Sequence, residues 1–194
     1  TAAGLELVRA AKSRGVHVTA GVTPAHFMLS DLAVGDFRTF ARFSPPLRSE
    51  ADRQAVLAAL ADGTIDVIAT DHAPHATQEK QQDFTEAPFG IVGLETALSL
   101  TLALVEEGVL TLEQAVIKLA TAPAIAFGLK KGTLAVGADA DVAIVDPNEQ
   151  WQVDPGKFKS KSRNTPFAGW KVKGRVRTTI VGGRVVFEAT PAER

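Results

Sequence analysis

The sequence contains no cysteine among its 194 residues. This absence excludes disulfide bonds, a cysteine-ligated zinc finger and a catalytic thiol. Any metal ion that the chain binds must therefore be held by histidine, aspartate or glutamate side chains. Only four histidines are present, at positions 17, 26, 72 and 75, which are too few to complete a two-metal site.

An excess of either charge is also missing. Lys and Arg number 21, Asp and Glu number 22, and the formal net charge is −1, which argues against a non-specific nucleic-acid binder. The longest candidate apolar run, 91–105, is interrupted by polar residues and is shorter than the roughly 20 residues of a membrane-spanning helix. We therefore expect neither a nucleic-acid partner nor a membrane partner.

Two helix–strand units open the chain. The spacing predicts helices at 4–13 and 51–61 and strands at 16–22 and 65–70. The mostly apolar second strand is typical of a parallel sheet covered on both faces. A closed (β/α)8 barrel takes eight strands and about 250 residues, so this chain can supply only the last quarter of one. Because residue 1 is threonine and a helix pattern begins at once, we expect the chain to start inside a domain of a longer protein.

The pattern changes after the second strand. The polar stretch 76–86 predicts a surface loop, and apolar spacing predicts helices at 91–107 and 112–120. From Gly132 onward, glycines separate short β-type runs, with Gly182-Gly183 as a two-residue hairpin turn. The runs lie at 141–146, 170–172, 175–181 and 184–188. We therefore predict a helix-rich α/β part, residues 1–131, and an all-β part, residues 132–194.

Asp71 is the strongest candidate for chemistry. It follows the predicted strand 65–70 directly, at the end of the strand where α/β barrels carry their catalytic groups. His72 and His75 come within four positions, and an aspartate can both ligate a metal and exchange a proton with water. The alternative is an aspartate that caps the strand-to-loop turn, followed by two histidines that face solvent.

Other candidates carry weaker signals. His26 follows the end of the first predicted strand, whereas His17 alternates with valines and is expected to be structural. Ser44 begins a proline-rich loop on the same rim, which either offers a side chain to a substrate or is a rigid connection. The segment 87–90 precedes the predicted helix 91–107, where free N–H groups favour a carbonyl or carboxylate, or where the helix simply begins.

Five stretches together resemble the dihydroorotases of the cyclic amidohydrolase superfamily, and the resemblance covers nearly the whole chain. The stretches are Val22-Thr23-Pro24, Pro45-Pro46-Leu47-Arg48-Ser49-Glu50, Ala69-Thr70-Asp71-His72-Ala73-Pro74-His75, Ala87-Pro88-Phe89-Gly90-Ile91-Val92-Gly93-Leu94-Glu95-Thr96 and Ser160-Lys161-Ser162-Arg163-Asn164-Thr165-Pro166-Phe167. The resemblance implies the C-terminal part of a TIM-type barrel with a small β-sandwich tail. It also implies a cytoplasmic, zinc-dependent hydrolase of de novo pyrimidine biosynthesis that interconverts N-carbamoyl-L-aspartate and L-dihydroorotate.

The resemblance also implies roles for individual residues. Asp71 matches the last metal ligand of the family, which moves the proton between water and the ring amide. His75 matches a residue that binds the substrate carboxylate, and Ala87, Pro88 and Gly90 match backbone contacts to the substrate ring. The other zinc ligands are expected in an N-terminal half of the same protein. Ser44 stands where the family has an asparagine that contacts substrate.

Departures from the family pattern leave two alternatives open. Gly21 replaces a glutamate, and Ala25 replaces the first histidine of a pair that here keeps only His26. These changes also fit a non-catalytic dihydroorotase-like scaffold that binds aspartate carbamoyltransferase. Ser44 also fits a hydantoinase or allantoinase. Because an open half-barrel leaves unpaired strand edges, we further expect a partner fragment or a homodimer.

Overall fold

The computed structural model describes residues 1–189, and the end of the predicted β tail, residues 190–194, lies outside this range. The first part of the chain folds into helices and two very short strands. In chain order the main elements are α1 (Ala2–Ser13), β1 (Gly21–Val22), α2 (Pro24–Met28), α3 (Glu50–Ala61) and β2 (Val67–Ile68), with two 3-10 helices, Asp31–Val34 and Thr39–Ala41, between α2 and α3. Thr1 and Ser49 cap α1 and α3, because each side-chain oxygen accepts an N–H of the first turn. The two helices predicted here are confirmed.

The strands β1 and β2 pair in parallel over two residues each, with Gly21 opposite Val67. Parallel strands need a crossover connection, and α3 lies within it. Both predicted strands are confirmed only at these paired residues. Val16 and His17, at the start of the first predicted strand, are exposed and lie outside the ladder.

Asp66 explains part of this shortening. Its carboxylate accepts the N–H of Ala20 at 2.8 Å. A side-chain oxygen thus takes the place of a backbone carbonyl of the neighbouring strand, just before the two paired residues. The same carboxylate forms an ion pair with the ammonium of Lys12, at 2.7 Å, and thereby connects α1 to the start of β2.

Five helical elements lie between β2 and the all-β part of the chain. They are α4 (Thr77–Lys80), α5 (Ala97–Glu106), α6 (Leu112–Val116), a π-helical turn (Ile117–Thr121) and α7 (Ala122–Ala126). The prediction of a helix over 91–107 is wrong at its start, because Ile91 forms a parallel bridge with His72 and the N–H of Val92 donates to the carbonyl of Asn164. Residues 91 and 92 are therefore extended, and α5 begins six residues later than predicted.

The π-helical turn places a buried lysine against the neighbouring strand. Lys118 donates from Nζ to the carbonyl oxygen of Ile65 at 2.5 Å. Burial lowers the pKa of Lys118. The ammonium satisfies a carbonyl just before β2 that accepts from no backbone N–H of residues 1–189.

The all-β part forms a three-stranded antiparallel sheet in the order β3–β4–β5. Its strands are β3 (Val142–Gln152), β4 (Lys171–Val181) and β5 (Arg184–Glu188). The hairpin turn at Gly182-Gly183 is confirmed, and both glycines have positive φ, 55° and 77°, as a two-residue hairpin of this kind requires. The complete barrel, the β-sandwich and the boundary after residue 131 stay predictions.

The sheet packs against α5. Ser99 in α5 donates from Oγ to the carbonyl of Gly174 in β4 at 2.8 Å. Gly174 has a φ of 96°, and a Cβ at this position would lie 2.2 Å from the Cδ1 of Leu102. The positive φ favours glycine at this position, and the missing Cβ leaves room for the side chain of Leu102.

The core lies between the helices, the two parallel strands and the segment that precedes β4. Its largest fully buried side chains include Phe27, Leu60, Leu100, Leu104 and Phe167. No helix within residues 1–189 has the length and apolar character needed to cross a membrane.

Candidate functional site

Asp71 lies three residues after β2 in a left-handed backbone conformation, with φ at 48°. Aspartate is one of the few residues besides glycine that tolerates this region. Its side chain is exposed and makes no hydrogen bond or ion pair with any described residue. Asp71 therefore presents two uncommitted carboxylate oxygens at the carboxyl end of the strand, where the sequence places it.

The residues after Asp71 are fixed to the segment before α5. The Nδ1 of His72 accepts the N–H of Gly93 at 3.1 Å, which leaves the proton of the neutral ring on Nε2. Gly93 is buried against the carbonyl of Thr70, and a Cβ there would lie 2.5 Å from that oxygen. The turn that carries Asp71 is therefore held by close packing on the following segment.

His75 is half-buried and holds the segment 87–90. Its Nε2 donates to the carbonyl of Phe89 at 2.8 Å, and its Nδ1 lies 3.9 Å from a carboxylate oxygen of Glu79. The N–H of His75 donates to the side-chain oxygen of Asn164 at 3.3 Å. The ring is thus oriented by its contact with Phe89, and its Nδ1 edge is turned toward Glu79.

Most backbone groups of the segment 87–90 are already bonded within the chain. The N–H of Ala87 donates to the main-chain carbonyl of Asp83, and the N–H of Gly90 donates to the main-chain carbonyl of Arg42, each at 2.9 Å. The expectation that a long helix follows this segment directly is wrong, because residues 91 and 92 are extended and a turn at 94–96 separates them from α5. Two groups make no hydrogen bond with a described residue, the N–H of Phe89 and the carbonyl of Ala87.

Lys80 corrects the prediction of a surface loop over 76–86. The residue ends α4, its side chain is only 3% exposed, and its Nζ donates to the carbonyls of Pro88 and Gly90, at 2.8 and 3.2 Å. Burial, together with the nearby guanidinium of Arg42, lowers the pKa of Lys80 to about 8. The polar stretch therefore turns inward at this one position.

The proline-rich rim loop is held by His26. The Nε2 of His26 donates to the carbonyl of Pro45 at 3.0 Å, and its Nδ1 accepts the hydroxyl proton of Thr23 at 2.7 Å. Both ring nitrogens are therefore engaged in structural bonds. Ser44 is exposed on this loop and its side chain makes no hydrogen bond within the described part of the chain.

At the position expected for a metal site, after β2, Asp71 is the side chain that could serve as a ligand. Among residues 1–189, no three histidine, aspartate or glutamate side chains lie close enough together to hold a metal ion. Asp71 alone combines a free carboxylate with the expected position, so it fits as a single ligand to an ion whose other ligands come from elsewhere.

Sequence reasoning missed three residues of this region: Lys80, Asn164 and Arg42. Asn164 donates to the carbonyls of Ala73 and Gly90, and its position in the stretch 160–167, used for the resemblance, was the available signal. The guanidinium of Arg42 lies 4.3 Å from the ring centroid of Phe89. Nothing in the sequence distinguishes Lys80 from the polar residues around it.

Comparison with known proteins gives concordant results. Residues 2–186 match the model of the amidohydrolase family. The chain is 56% identical over 189 residues to the dihydroorotase of Pelotomaculum thermopropionicum and 54% identical to that of Citrifermentans bemidjiense. Each alignment covers 97% of this chain but only 44% and 45% of the relative, so the chain spans less than half the length of the curated relatives it matches.

Solved structures show the same similarity. The L-hydantoinase of Arthrobacter aurescens superposes with a TM-score of 0.90 at 34% identity, covering 96% of this chain and 43% of that one. The D-hydantoinase of a Thermus species superposes with a TM-score of 0.85 at 32% identity, covering 95% and 42%. With a family match over nearly its whole length and an α/β fold shared with these enzymes, the chain belongs to the amidohydrolase family.

Proposed function

We propose that this chain is the C-terminal part of a zinc-dependent dihydroorotase, which interconverts N-carbamoyl-L-aspartate and L-dihydroorotate. The observation that carries the proposal is the free carboxylate of Asp71 after β2. The relatives at 54% and 56% identity, both named dihydroorotase, support this choice of substrate.

In this proposal Asp71 has two roles, as a metal ligand and as the group that moves the proton. Asp71 would be one ligand of a zinc ion, which would supply polarisation of the substrate carbonyl and a lower pKa for water. Asp71 accepts the proton of the attacking water and delivers it to the ring nitrogen as the amide bond breaks. In the direction of ring closure it returns the proton along the same path. A carboxylate without competing hydrogen bonds is suited to this exchange.

The substrate would lie between His75 and the segment 87–90. In this proposal the N–H of Phe89 and the carbonyl of Ala87 contact the ring amide, because they have no partner among the described residues. His75 binds the substrate carboxylate in this proposal, with its ring oriented by the hydrogen bond from Nε2 to the carbonyl of Phe89. Ser44 contributes a hydroxyl from the rim loop.

The remaining zinc ligands would come from an N-terminal half of the same protein. In the proposed architecture, residues 1–131 are part of a (β/α)8 barrel and residues 132–194 belong to a small β-sandwich. Large apolar side chains that stay exposed support further packing, for example Phe127 at 77% and Leu134 at 81%. The cytoplasmic location, a homodimer and the contact with aspartate carbamoyltransferase stay predictions.

A hydantoinase is the second candidate. Two observations favour it: the structural similarity to L- and D-hydantoinases and the serine at position 44. Both candidates use the same carboxylate at Asp71, so the cyclic amide that is hydrolysed distinguishes them.

A chimera tests the proposal. The part of the Pelotomaculum thermopropionicum dihydroorotase that this chain does not match is joined ahead of Thr1, and the purified full-length chimera is analysed for zinc content and oligomeric state. It is then assayed with N-carbamoyl-L-aspartate, L-dihydroorotate, hydantoin and dihydrouracil. We expect bound zinc and turnover of the first two compounds, whereas the 194-residue chain alone is inactive. A zinc-loaded chimera that turns over only hydantoin or dihydrouracil would overturn the dihydroorotase proposal.

A further inference from the structure

Lys80 is a buried cation that the proposed reaction does not use. Its side chain is 3% exposed, and its hydrogen bonds run to two main-chain carbonyls, those of Pro88 and Gly90. No carboxylate within residues 1–189 forms an ion pair with it. A methionine of similar length would fill the same space without the cost of desolvating an ammonium group. Burial of this ammonium therefore costs folding free energy, and its hydrogen bonds have one specific geometric effect.

That effect lies in the peptide group between Pro88 and Phe89. A trans peptide is planar, and its C=O and N–H point in opposite directions. When the ammonium of Lys80 holds the Pro88 carbonyl at 2.8 Å, it also sets the direction of the Phe89 N–H. This N–H makes no hydrogen bond with a described residue.

The following peptide groups are held as well. The carbonyl of Phe89 accepts from His75, and the carbonyl of Gly90 accepts from both Lys80 and Asn164. Three consecutive carbonyls are thus fixed by three side chains, those of His75, Lys80 and Asn164. The backbone of Lys80 is itself anchored, because its carbonyl accepts the hydroxyl of Thr39 at 2.5 Å.

We propose that Lys80 is a positioning residue, which holds the Pro88 carbonyl and thereby aims the Phe89 N–H at the substrate of the site around Asp71. The inference rests on the proposed function, because it assumes that a cyclic amide or its open form lies beside this segment. Lys80 itself does not touch the substrate. A buried ammonium is the suitable group, since it can donate to two carbonyls at once and forms stronger hydrogen bonds than a neutral donor.

The test compares Lys80→Met and Lys80→Arg in the full-length chimera, with Lys130→Met as the matched control. Lys130 is exposed and makes no hydrogen bond or ion pair with the rest of the described chain. We expect Lys80→Met to raise KM about 10- to 100-fold with a smaller change in kcat, which corresponds to the loss of one well-aligned hydrogen bond. Zinc content should stay at the level of the parent, and the melting temperature should fall only modestly, because the carbonyl of Pro88 loses its donor while an ammonium no longer has to be buried. Lys80→Arg keeps charged donors and should recover part of the KM, whereas Lys130→Met should match the parent.

The outcomes separate the two proposals. An inactive, zinc-loaded parent chimera would overturn the proposed function, and with it the role of Lys80. An active parent with an unchanged KM in a folded Lys80→Met variant would overturn the inference on Lys80 alone. If Lys80→Met does not fold, Lys80→Gln replaces it, because the shorter amide keeps the polarity but cannot reach both carbonyls. A KM equal to that of the parent in Lys80→Gln would then count against the inference.

Discussion

The side-chain amide of Asn164 donates to the carbonyl oxygen of Ala73 at 2.9 Å, across 91 residues of sequence. The same nitrogen reaches the carbonyl of Gly90, and the side-chain oxygen accepts the N–H of His75. One buried amide therefore joins the segment after β2 to the segment before α5. These are the two segments between which we place the substrate.

Replacement of Asn164 by alanine should destabilise the protein. The variant leaves the N–H of His75 and the carbonyls of Ala73 and Gly90 without this partner, and we expect a loss of about 1–3 kcal/mol in the free energy of unfolding. Urea unfolding of the chimera and its variant measures the loss. Asn148→Ala is the control, because that side chain is exposed and should change stability by less than about 0.5 kcal/mol. Equal stability of both variants would contradict the conclusion that Asn164 joins the segment after β2 to the segment before α5.

The Asp71→Asn variant tests the proton transfer. The amide keeps the shape of the side chain but cannot accept the proton of water, so kcat of the chimera should fall at least about 100-fold. No contact within the described chain is lost, and zinc content is measured alongside kcat, because Asp71 is also a proposed metal ligand. Asp36→Asn, an exposed aspartate without a described partner, serves as the control and should keep full activity. A kcat close to that of the parent would remove Asp71 from the mechanism.

The Gly93→Ala variant tests the packing beneath Asp71. The added Cβ would lie 2.5 Å from the carbonyl oxygen of Thr70, and this contact is with backbone that cannot rotate away. We expect a loss of about 1–3 kcal/mol in unfolding free energy and a lower kcat, because the turn that carries Asp71 must shift. In α1, Gly4→Ala meets only the hydroxyl oxygen of Thr1 at 3.3 Å and should be neutral or slightly stabilising. Thermal unfolding and the activity assay of both variants would show the contrast.

The pair formed by Asp66 and Lys12 should make stability depend on acidity. Burial opposes ionisation of Asp66, but the hydrogen bonds from Lys12 and the Ala20 N–H outweigh it, so the pKa of Asp66 lies below its ordinary value of 3.8. The stabilisation is therefore fully present above pH 3.8 and is lost as the pH falls through the lower pKa of the folded state. Asp66→Asn should cost about 1–2 kcal/mol at pH 7 and progressively less below pH 3.8. A difference between parent and variant that stays constant down to pH 2 would show that the charge of Asp66 contributes nothing.

Patterns that depend on neighbouring residues predicted the fold well. The helices predicted over 4–13 and 51–61 and the turn at Gly182-Gly183 all follow from local backbone chemistry, and all are confirmed. The position of Asp71 after a strand was also predictable, because the apolar run before it marks the strand.

Features that depend on distant partners were not predictable. The start of α5 is delayed because Ile91 bridges to His72 and Val92 bonds to Asn164, and no local signal reports these contacts. Lys80 looks solvent-exposed in a polar stretch, and only the folded positions of Pro88 and Gly90 explain its burial. Sequence patterns report how a segment prefers to fold, whereas these residues are placed by carbonyls elsewhere in the chain.

The π-helical turn at Ile117–Thr121 has a consequence for how this region can change in evolution. A π turn contains one residue more than the α-helical turn around it, and this residue brings Lys118 to the carbonyl of Ile65. Deleting this residue would restore a regular α-helical turn and leave α6 and α7 nearly in their present orientation, because the π turn is where the extra residue is absorbed. Lys118 would then leave the carbonyl of Ile65, which would lose its donor. The extra residue therefore serves the contact with the segment before β2 rather than the packing of the helices on either side.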